Sequence, residues 1–231
     1  MNTRPAPQPS LRPVTRAELE QVYGTDGLRR VPEADLPAVV TDPGARAFLS
    51  GIGLPDAPSA FISPEKPPLP PLSGSYADPA TYWPDLPNGG ATMVLIGSWG
   101  TVFALDGSTG EVYALLPYQE ATVDGRPAHR SLHSLIRCQL AFGARELNLL
   151  GDLMDPDTAD WCRAHVPGFV ELFPVPELDE YGLPADDEID PAAPDSDEVI
   201  AHLADKLRQI EPDLLRHPGW ESILQHFRHG Y

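Results

Sequence analysis

The sequence predicts an α+β fold, in which helices flank a mostly antiparallel central sheet. Three observations support it: amphipathic helical patterns near both ends, short β-type runs between residues 93 and 116, and a hairpin turn signal between the last two runs. The chain has 231 residues, of which 42% are hydrophobic, which is enough for one sizeable core. We therefore expect a single domain over residues 14–231, after a flexible Pro-rich tail at residues 1–13.

Two helices are predicted in the N-terminal part. Thr15 and Glu18 have the spacing of a capping box, so a helix should begin after Thr15. A second helix should begin at Asp42, because Pro43 suits the first helical position, and it should end at residues 51–55. Its buried side chains are predicted to be Ala47, Phe48 and Leu49.

The next stretch, residues 55–92, is predicted to be a Pro-rich loop on the surface. Ten of the residues in 55–87 are proline, and proline lacks the donor that the interior of a sheet requires. The only strand expected here is a short one near Phe61.

Three short strands are predicted after this loop, over residues 93–97, 101–106 and 111–116. The connection at residues 106–110 reads Asp-Gly-Ser-Thr-Gly, which supplies two glycines for positive φ and an aspartate that can accept from backbone amides. The last two strands should therefore pair as a hairpin.

The C-terminal half is predicted from helix caps and apolar spacing. The elements expected are a helix over residues 131–150 capped by Ser131, a helix from Asp155, a strand over 168–173, a helix over 196–210 and a helix from Pro218. Residues 177–198 contain ten acids and no Lys or Arg, and should form a solvated acidic loop.

Acidic residues dominate the charge: 34 Asp and Glu against 16 Lys and Arg give a net charge of -18. Such a chain repels phosphate backbones and anionic membranes, so neither nucleic acid nor a membrane is expected as a partner. A negative field attracts a basic protein surface, although solubility alone is an equally simple explanation.

A cytoplasmic location is expected. The sequence has no run of about 18 apolar residues, and residues 1–13 contain no apolar core of a signal peptide. The two cysteines, Cys138 and Cys162, lie in helix-like segments, where free cysteines usually behave as small buried apolar residues.

Motifs for chemistry are weak. The sequence has no P-loop, no GxGxxG after a strand and no nucleophile elbow. The Ser63-x-x-Lys66 pattern imitates a penicillin-binding motif, but it falls in the Pro-rich loop. His129, His133 and Cys138 could contribute to a metal site, but a solvent-facing histidine pair and a buried thiol explain them more simply. We expect no catalytic, cofactor-binding or metal-binding residues, and no enzyme activity.

Candidate partner-binding residues are tryptophans outside regular helices and the acids of the loop. Trp161 and Trp220 lie on apolar helix faces and should be core, whereas Trp83 and Trp99 could anchor a partner or fold back on the sheet. The acids predicted to steer association are Asp186, Asp187, Glu188 and Asp190.

Several segments, in this order, resemble the SUKH superfamily, in particular its fourth subgroup. The matching pieces are Ala47-Phe48-Leu49, Ile52-Gly53-Leu54-Pro55, Ile96-Gly97, residues 102–112 with Thr109-Gly110-Glu111-Val112, the helix from Ser131, and residues 220–230. The sequence departs from the subgroup at residues 130–134, where Arg-Ser-Leu-His-Ser replaces an Asn-Ser-Ser-like stretch. The resemblance implies an α+β fold without an active site. It also implies that the chain acts as many members of the superfamily do, by binding and blocking a polymorphic toxin, commonly a nuclease or nucleic-acid deaminase.

The leading hypothesis is therefore a non-enzymatic immunity protein that binds and neutralises a toxin domain with a basic surface. One alternative is a regulatory or scaffold protein that uses the same fold to recruit a cellular protein. Another is an enzyme whose site is assembled from distant residues, which a deep pocket lined by converging titratable groups would favour.

Overall fold

A computed structural model of the chain describes residues 11–57, 60, 62–141 and 196–229. Its central sheet is antiparallel, with four strands in the order β3-β4-β5-β6. A second, two-stranded sheet pairs β1 with β2. The strands are β1 Leu28–Arg29, β2 Leu54–Pro55, β3 Ser63–Pro64, β4 Val94–Trp99, β5 Thr101–Leu105 and β6 Val112–Leu115. The predicted α+β fold, with its mostly antiparallel sheet, is confirmed.

Helices occupy both ends of the described chain. They are α1 Arg16–Tyr23, α2 Pro43–Ala47, α3 Leu72–Ser75, α4 Pro79–Tyr82, α5 Leu132–Ala141, α6 Ser196–Ile210 and α7 Pro218–His229. Helix α6 includes the last three residues of the predicted acidic loop. The rest of that loop, the elements predicted at 155 and 168–173, and residues 142–150 of the predicted long helix lie outside the described residues.

The capping box at the start of α1 is confirmed. Thr15 Oγ1 accepts from the amide of Glu18 at 3.3 Å, and the Glu18 carboxylate accepts from the amide of Thr15 at 2.9 Å. Glu18 also pairs with Arg137 of α5 at 3.2 Å. The hydrogen bond from the backbone amide of Thr15, followed by the bond from the Arg137 side chain, lowers the pKa of Glu18 to about 2. One carboxylate thus caps α1 and joins it to α5.

Helix α2 begins as predicted, with Asp42 Oδ1 accepting from the amide of Ala45 at 2.7 Å. Phe48 and Leu49 are buried, but the prediction for Ala47 is wrong: Ala47 is exposed and Ala45 is buried. Positions 45, 48 and 49 have the spacing of one helix face, so Ala47 points away from that face.

The hairpin between β5 and β6 is also confirmed. Asp106 Oδ1 accepts from the amides of Ser108 at 2.8 Å and Thr109 at 3.3 Å. Gly110 has the expected positive φ of 78°, but Gly107 does not. Gly107 is needed for space, since a Cβ there would lie 2.4 Å from the carbonyl oxygen of Val39.

Alternate residues of the central sheet enter two separate cores, as the period of a strand requires. Phe103, Leu105, Val112 and Ala114 pack in the main core, with buried residues of α1, α5, α6 and α7. Leu95, Ala104, Tyr113 and Leu115 pack in a second core on the other face.

The Pro-rich stretch packs on this second face, so the prediction of a surface loop is wrong for its buried residues, although many of its described residues are exposed. It contributes β3, α3 and α4, and it buries Leu72 and Trp83 completely. The prolines are tolerated because Pro71 precedes α3 and Pro79 begins α4, where an amide would have no intrahelical partner. The strand predicted near Phe61 is β3; Phe61 itself is outside the described residues.

Candidate partner-binding surface

Trp83 is fully buried in the second core. Its indole Nε1 donates to the carbonyl oxygen of Leu116 at 3.0 Å, and the rings of Tyr76 and Tyr82 lie over it at centroid distances of 4.9 and 5.6 Å. Of the two alternatives for this residue, the structure has the ring folded back on the sheet. Trp83 therefore supports the surface above it and presents no exposed ring to a partner.

The other candidate residues have different outcomes. Trp99, at the end of β4, is half-buried and packs partly against the main core. Its role in partner binding stays a prediction. Asp186, Asp187, Glu188 and Asp190 lie outside the described residues.

Three tyrosines above Trp83 form an exposed cluster that the sequence did not indicate. The rings of Tyr76 and Tyr82 lie 5.2 Å apart, and those of Tyr82 and Tyr118 lie 5.4 Å apart. Tyr76 and Tyr82 are half-buried, whereas Tyr118 is 73% exposed. We call these three residues the tyrosine surface. The signal was present only as tyrosines near Trp83 and after Pro117, with no apolar period to place them.

Tyr118 has an unusual backbone conformation. It follows Pro117 in a turn closed by a 3.1 Å hydrogen bond from the amide of Gln119 to the carbonyl of Leu116. Its φ is 64°, where a turn normally has glycine or asparagine. Such a conformation costs a bulky residue about 1 kcal/mol or more. Because most of the side chain is exposed, burial does not offset this cost.

Carboxylates dominate this part of the molecule. Residues 62–125 contain seven acids and a single basic side chain, Lys66. The acids are Glu65, Asp78, Asp85, Asp106, Glu111, Glu120 and Asp124. Only one of these seven, Asp124, has a described ion pair, with Arg216 at 2.8 Å. This stretch of the chain, which includes the tyrosine surface, is therefore strongly acidic.

Four of these carboxylates raise the pKa of a nearby tyrosine, Tyr76 or Tyr113. Burial, then Tyr82 and then the charge of Glu65 raise the pKa of Tyr76. Burial and the charges of Glu111, Asp106 and Asp85 raise the pKa of Tyr113 to about 12. Asp85 is also fixed in place, since its carboxylate accepts from the amide of Ala121 at 2.7 Å.

His129 belongs to a buried polar network. Its Nε2 accepts from the indole Nε1 of Trp220 at 2.8 Å, and its Nδ1 lies 3.2 Å from Ser134 Oγ. Since an indole N–H can only donate, the proton of the imidazole is on Nδ1. Ser134 Oγ then donates to the Glu211 carboxylate at 2.6 Å, which also accepts from Arg130 Nε at 3.1 Å.

This network has no free group for proton transfer. Burial, and secondarily His217, lower the pKa of His129 well below its usual value, so the ring is neutral and both its nitrogens are engaged. The expectation of a solvent-facing histidine pair is wrong for His129. His133 is half-buried, and its Nδ1 accepts from the amide of Val14 at 3.1 Å.

A metal centre is not formed by the described residues: they contain no group of three or more His, Cys, Asp or Glu side chains that could hold an ion. His129, His133 and Cys138 are thus not brought together as ligands. Burial raises the pKa of the Cys138 thiol well above its usual value, so this cysteine is a protonated core residue, as predicted.

A cavity of about 140 Å³ lies beside the network, lined in part by Arg126, Arg130, Glu211, Asp213 and His217. Arg126 pairs with Asp213 at 3.3 Å and Arg130 with Glu211 at 3.1 Å. Buried His217 has no hydrogen-bond partner for Nδ1, and burial lowers its pKa. The lining therefore includes compensated ion pairs and a neutral imidazole, and it contains no Ser, Thr or Cys nucleophile beside a base.

A family model described as SUKH-4 immunity protein matches residues 14–224. The chain belongs to the SUKH-4 immunity protein family. The resemblance seen in the sequence is confirmed, together with a SUKH-like single domain. Membership indicates an immunity function against a toxin protein, and proteins of this family are in general non-catalytic.

Comparisons with curated proteins and with solved structures found no significant match. Among the described helices, none has both the length and the apolar composition that crossing a membrane requires.

Proposed function

We propose that the chain is a non-enzymatic, cytoplasmic immunity protein that binds and neutralises a polymorphic toxin domain, a nuclease or a nucleic-acid deaminase. The observation that carries this proposal is the family match over residues 14–224. It covers α1 through most of α7, so it includes both cores and the sheet between them.

The charge of the chain supports a toxin that acts on nucleic acid. Such proteins expose basic grooves that hold the phosphate backbone. The net charge of -18 would attract a basic groove and speed the encounter. Carboxylates of the chain would then compete with phosphate groups for the same Lys and Arg side chains of the toxin. Residues 62–125 combine an excess of acids with the exposed ring of Tyr118, a combination that suits a protein interface.

The buried network supports binding without chemistry. His129, Ser134 and Glu211 have the residue types of a hydrolase triad, but Nε2 of His129 is occupied by Trp220 and the carboxylate contacts Ser134 instead of the imidazole. Ser134 is itself buried. The arrangement therefore joins the start of α5 to α7, with the His129 ring and the Ser134 hydroxyl both buried and both ring nitrogens engaged.

Additional partner contacts belong to the same proposal. Asp186, Asp187, Glu188 and Asp190 would steer the toxin by long-range attraction, and Trp99 would contribute an aromatic contact. Replacing the four acids by Asn or Gln should lower the association rate and its dependence on salt. Unchanged association kinetics would remove this steering role.

The test begins with a pull-down from the native cell extract at low and at high salt, followed by mass spectrometry. We expect a basic nuclease or deaminase that is retained at low salt and released at high salt. The purified partner should lose its activity when mixed with an equimolar amount of the chain, and cells that express both should survive. A cellular partner whose activity is unaffected would contradict the proposal and favour a scaffold function.

A further inference from the structure

We infer that the tyrosine surface is the anchor that receives an arginine or lysine side chain of the bound toxin. The inference rests on the proposed function for the identity of the partner. Its physical basis is separate: Tyr76, Tyr82 and Tyr118 form an aromatic platform, exposed mainly at Tyr118, within the acid-rich residues 62–125.

The first argument is exposure at a conformational cost. Among the described residues, the exposed large apolar side chains are Val22 at 37%, Val39 at 43% and Tyr118 at 73%. Tyr118 is thus the most exposed of them, and it occupies a left-handed backbone position that favours glycine. Folding gains little from a tyrosine at this position, whereas an interface gains a large ring with few rotatable bonds.

The second argument is rigidity. The amide of Tyr118 donates to the carbonyl of Tyr82 at 3.0 Å, which joins the turn to the end of α4. Below them Trp83 is fully buried and hydrogen-bonded to Leu116, and Tyr76 packs edge-on against its ring at 4.9 Å. The rings are held before a partner arrives, so little side-chain entropy is lost on binding.

The third argument is charge complementarity. Residues 62–125, which include the tyrosine surface, contain seven carboxylates and one lysine, so a basic group is the favoured ligand. Glu65 is close enough to affect the ionisation of Tyr76, and Asp85 is fixed on the loop that follows α4. A cation above a tyrosine face gains from the ring quadrupole and from these carboxylates together. An acidic partner would be repelled by them.

The first experiment needs no toxin. The protein is produced with ¹³C-labelled tyrosine rings and titrated with the peptide acetyl-Gly-Arg-Gly-amide, with the neutral citrulline peptide as the matched ligand. The variant Tyr118→Gly identifies the Tyr118 signal. We expect saturable shifts of the Tyr118 and Tyr82 ring signals with the arginine peptide and none with citrulline. Equal shifts with both peptides, or no shift, would overturn the inference.

The second experiment uses the toxin identified by the pull-down. Tyr118→Gly should weaken its binding by about tenfold or more, as removal of an interface anchor does. Val39→Ser, which removes another exposed apolar side chain, should change the affinity by less than about twofold. Thermal unfolding would show that Tyr118→Gly remains folded, since glycine suits the left-handed position.

The two proposals can fail separately. If Tyr118→Gly binds the toxin as tightly as the unchanged protein, the anchor is wrong while the immunity function stands. If no toxin is inhibited, the proposed function fails, and the peptide titration alone decides whether the tyrosine surface binds a cation.

Discussion

Trp220 donates a 2.8 Å hydrogen bond from its indole Nε1 to Nε2 of His129, and both side chains are fully buried. The bond joins α7 to the segment before α5, across 91 residues of sequence. Trp220 also packs edge-on against Phe103 of the sheet at 6.1 Å. One side chain therefore fixes the imidazole tautomer and closes the main core.

Replacing Trp220 by phenylalanine should destabilise the protein by about 2–4 kcal/mol, because it leaves a void and an unpaired imidazole nitrogen. Urea unfolding monitored by circular dichroism would measure this loss. Tyr118→Phe, at an exposed position, serves as the control and should cost less than about 0.5 kcal/mol. A loss of that small size for Trp220→Phe would contradict the importance of the bond.

Stability should decrease as the pH falls below about 6.5. Burial lowers the pKa of His129 in the folded state, and the pKa values of His217 and His133 are lowered as well. In the unfolded chain these groups take up protons near pH 6.5, so acid favours unfolding. Their contribution is fully present above that pH and is lost progressively towards the lower, folded-state pKa.

Urea unfolding between about pH 8 and about pH 5.5 would measure this dependence. The variant His129→Asn should show a smaller loss over the same range, because one of the three titrating groups is absent. An identical pH dependence in the two proteins would exclude His129 as a source.

Replacing Thr15 by alanine should cost about 1 kcal/mol, since it removes the hydroxyl that caps the amide of Glu18. Thr15→Ser keeps that hydroxyl and should be nearly neutral. The free energies of unfolding of the two variants give the comparison. If they are equal, the capping box does not stabilise α1.

Gly219 should not tolerate a side chain. A Cβ there would lie 2.8 Å from Thr101 Cγ2 and 2.9 Å from the carbonyl oxygen of Ala114. Gly219→Ala should therefore push α7 away from the sheet and cost about 1–3 kcal/mol. At Gly51 a Cβ would meet nothing within 4 Å, so Gly51→Ala is the matched control and should be neutral or stabilising. Similar melting temperatures for the two variants would contradict this account of the contact.

Features with local signals could be predicted from the sequence. The Thr15 capping box, the Asp106 turn and the start of α7 at Pro218 each depend on residues a few positions apart. The same holds for the three short β-type runs that form β4, β5 and β6.

Features that depend on distant packing were missed. The burial of His129 requires Trp220, 91 residues further along the chain. For Trp83 the sequence left two alternatives open, because its burial depends on Leu116, 33 residues further along the chain. The tyrosine surface was missed for the same reason, because it exists only once α4 lies beside the turn at Tyr118. The packing of residues 55–92 on the second face of the sheet was also missed, because their high proline content is typical of an unpacked loop.

Residues 72–92, which pack over the second core, form a unit that can unfold locally. It is held by its own aromatic packing and by a few bonds to the sheet, such as Leu72 to Met93 at 2.7 Å and Trp83 to Leu116 at 3.0 Å. A contiguous unit of this kind can open at a lower free energy than that of global unfolding, while its rings stay ordered in the closed state that receives the partner. Amide hydrogens of residues 72–92 should then exchange with deuterium sooner than those of α5, and a toxin seated on Tyr118 would slow that exchange.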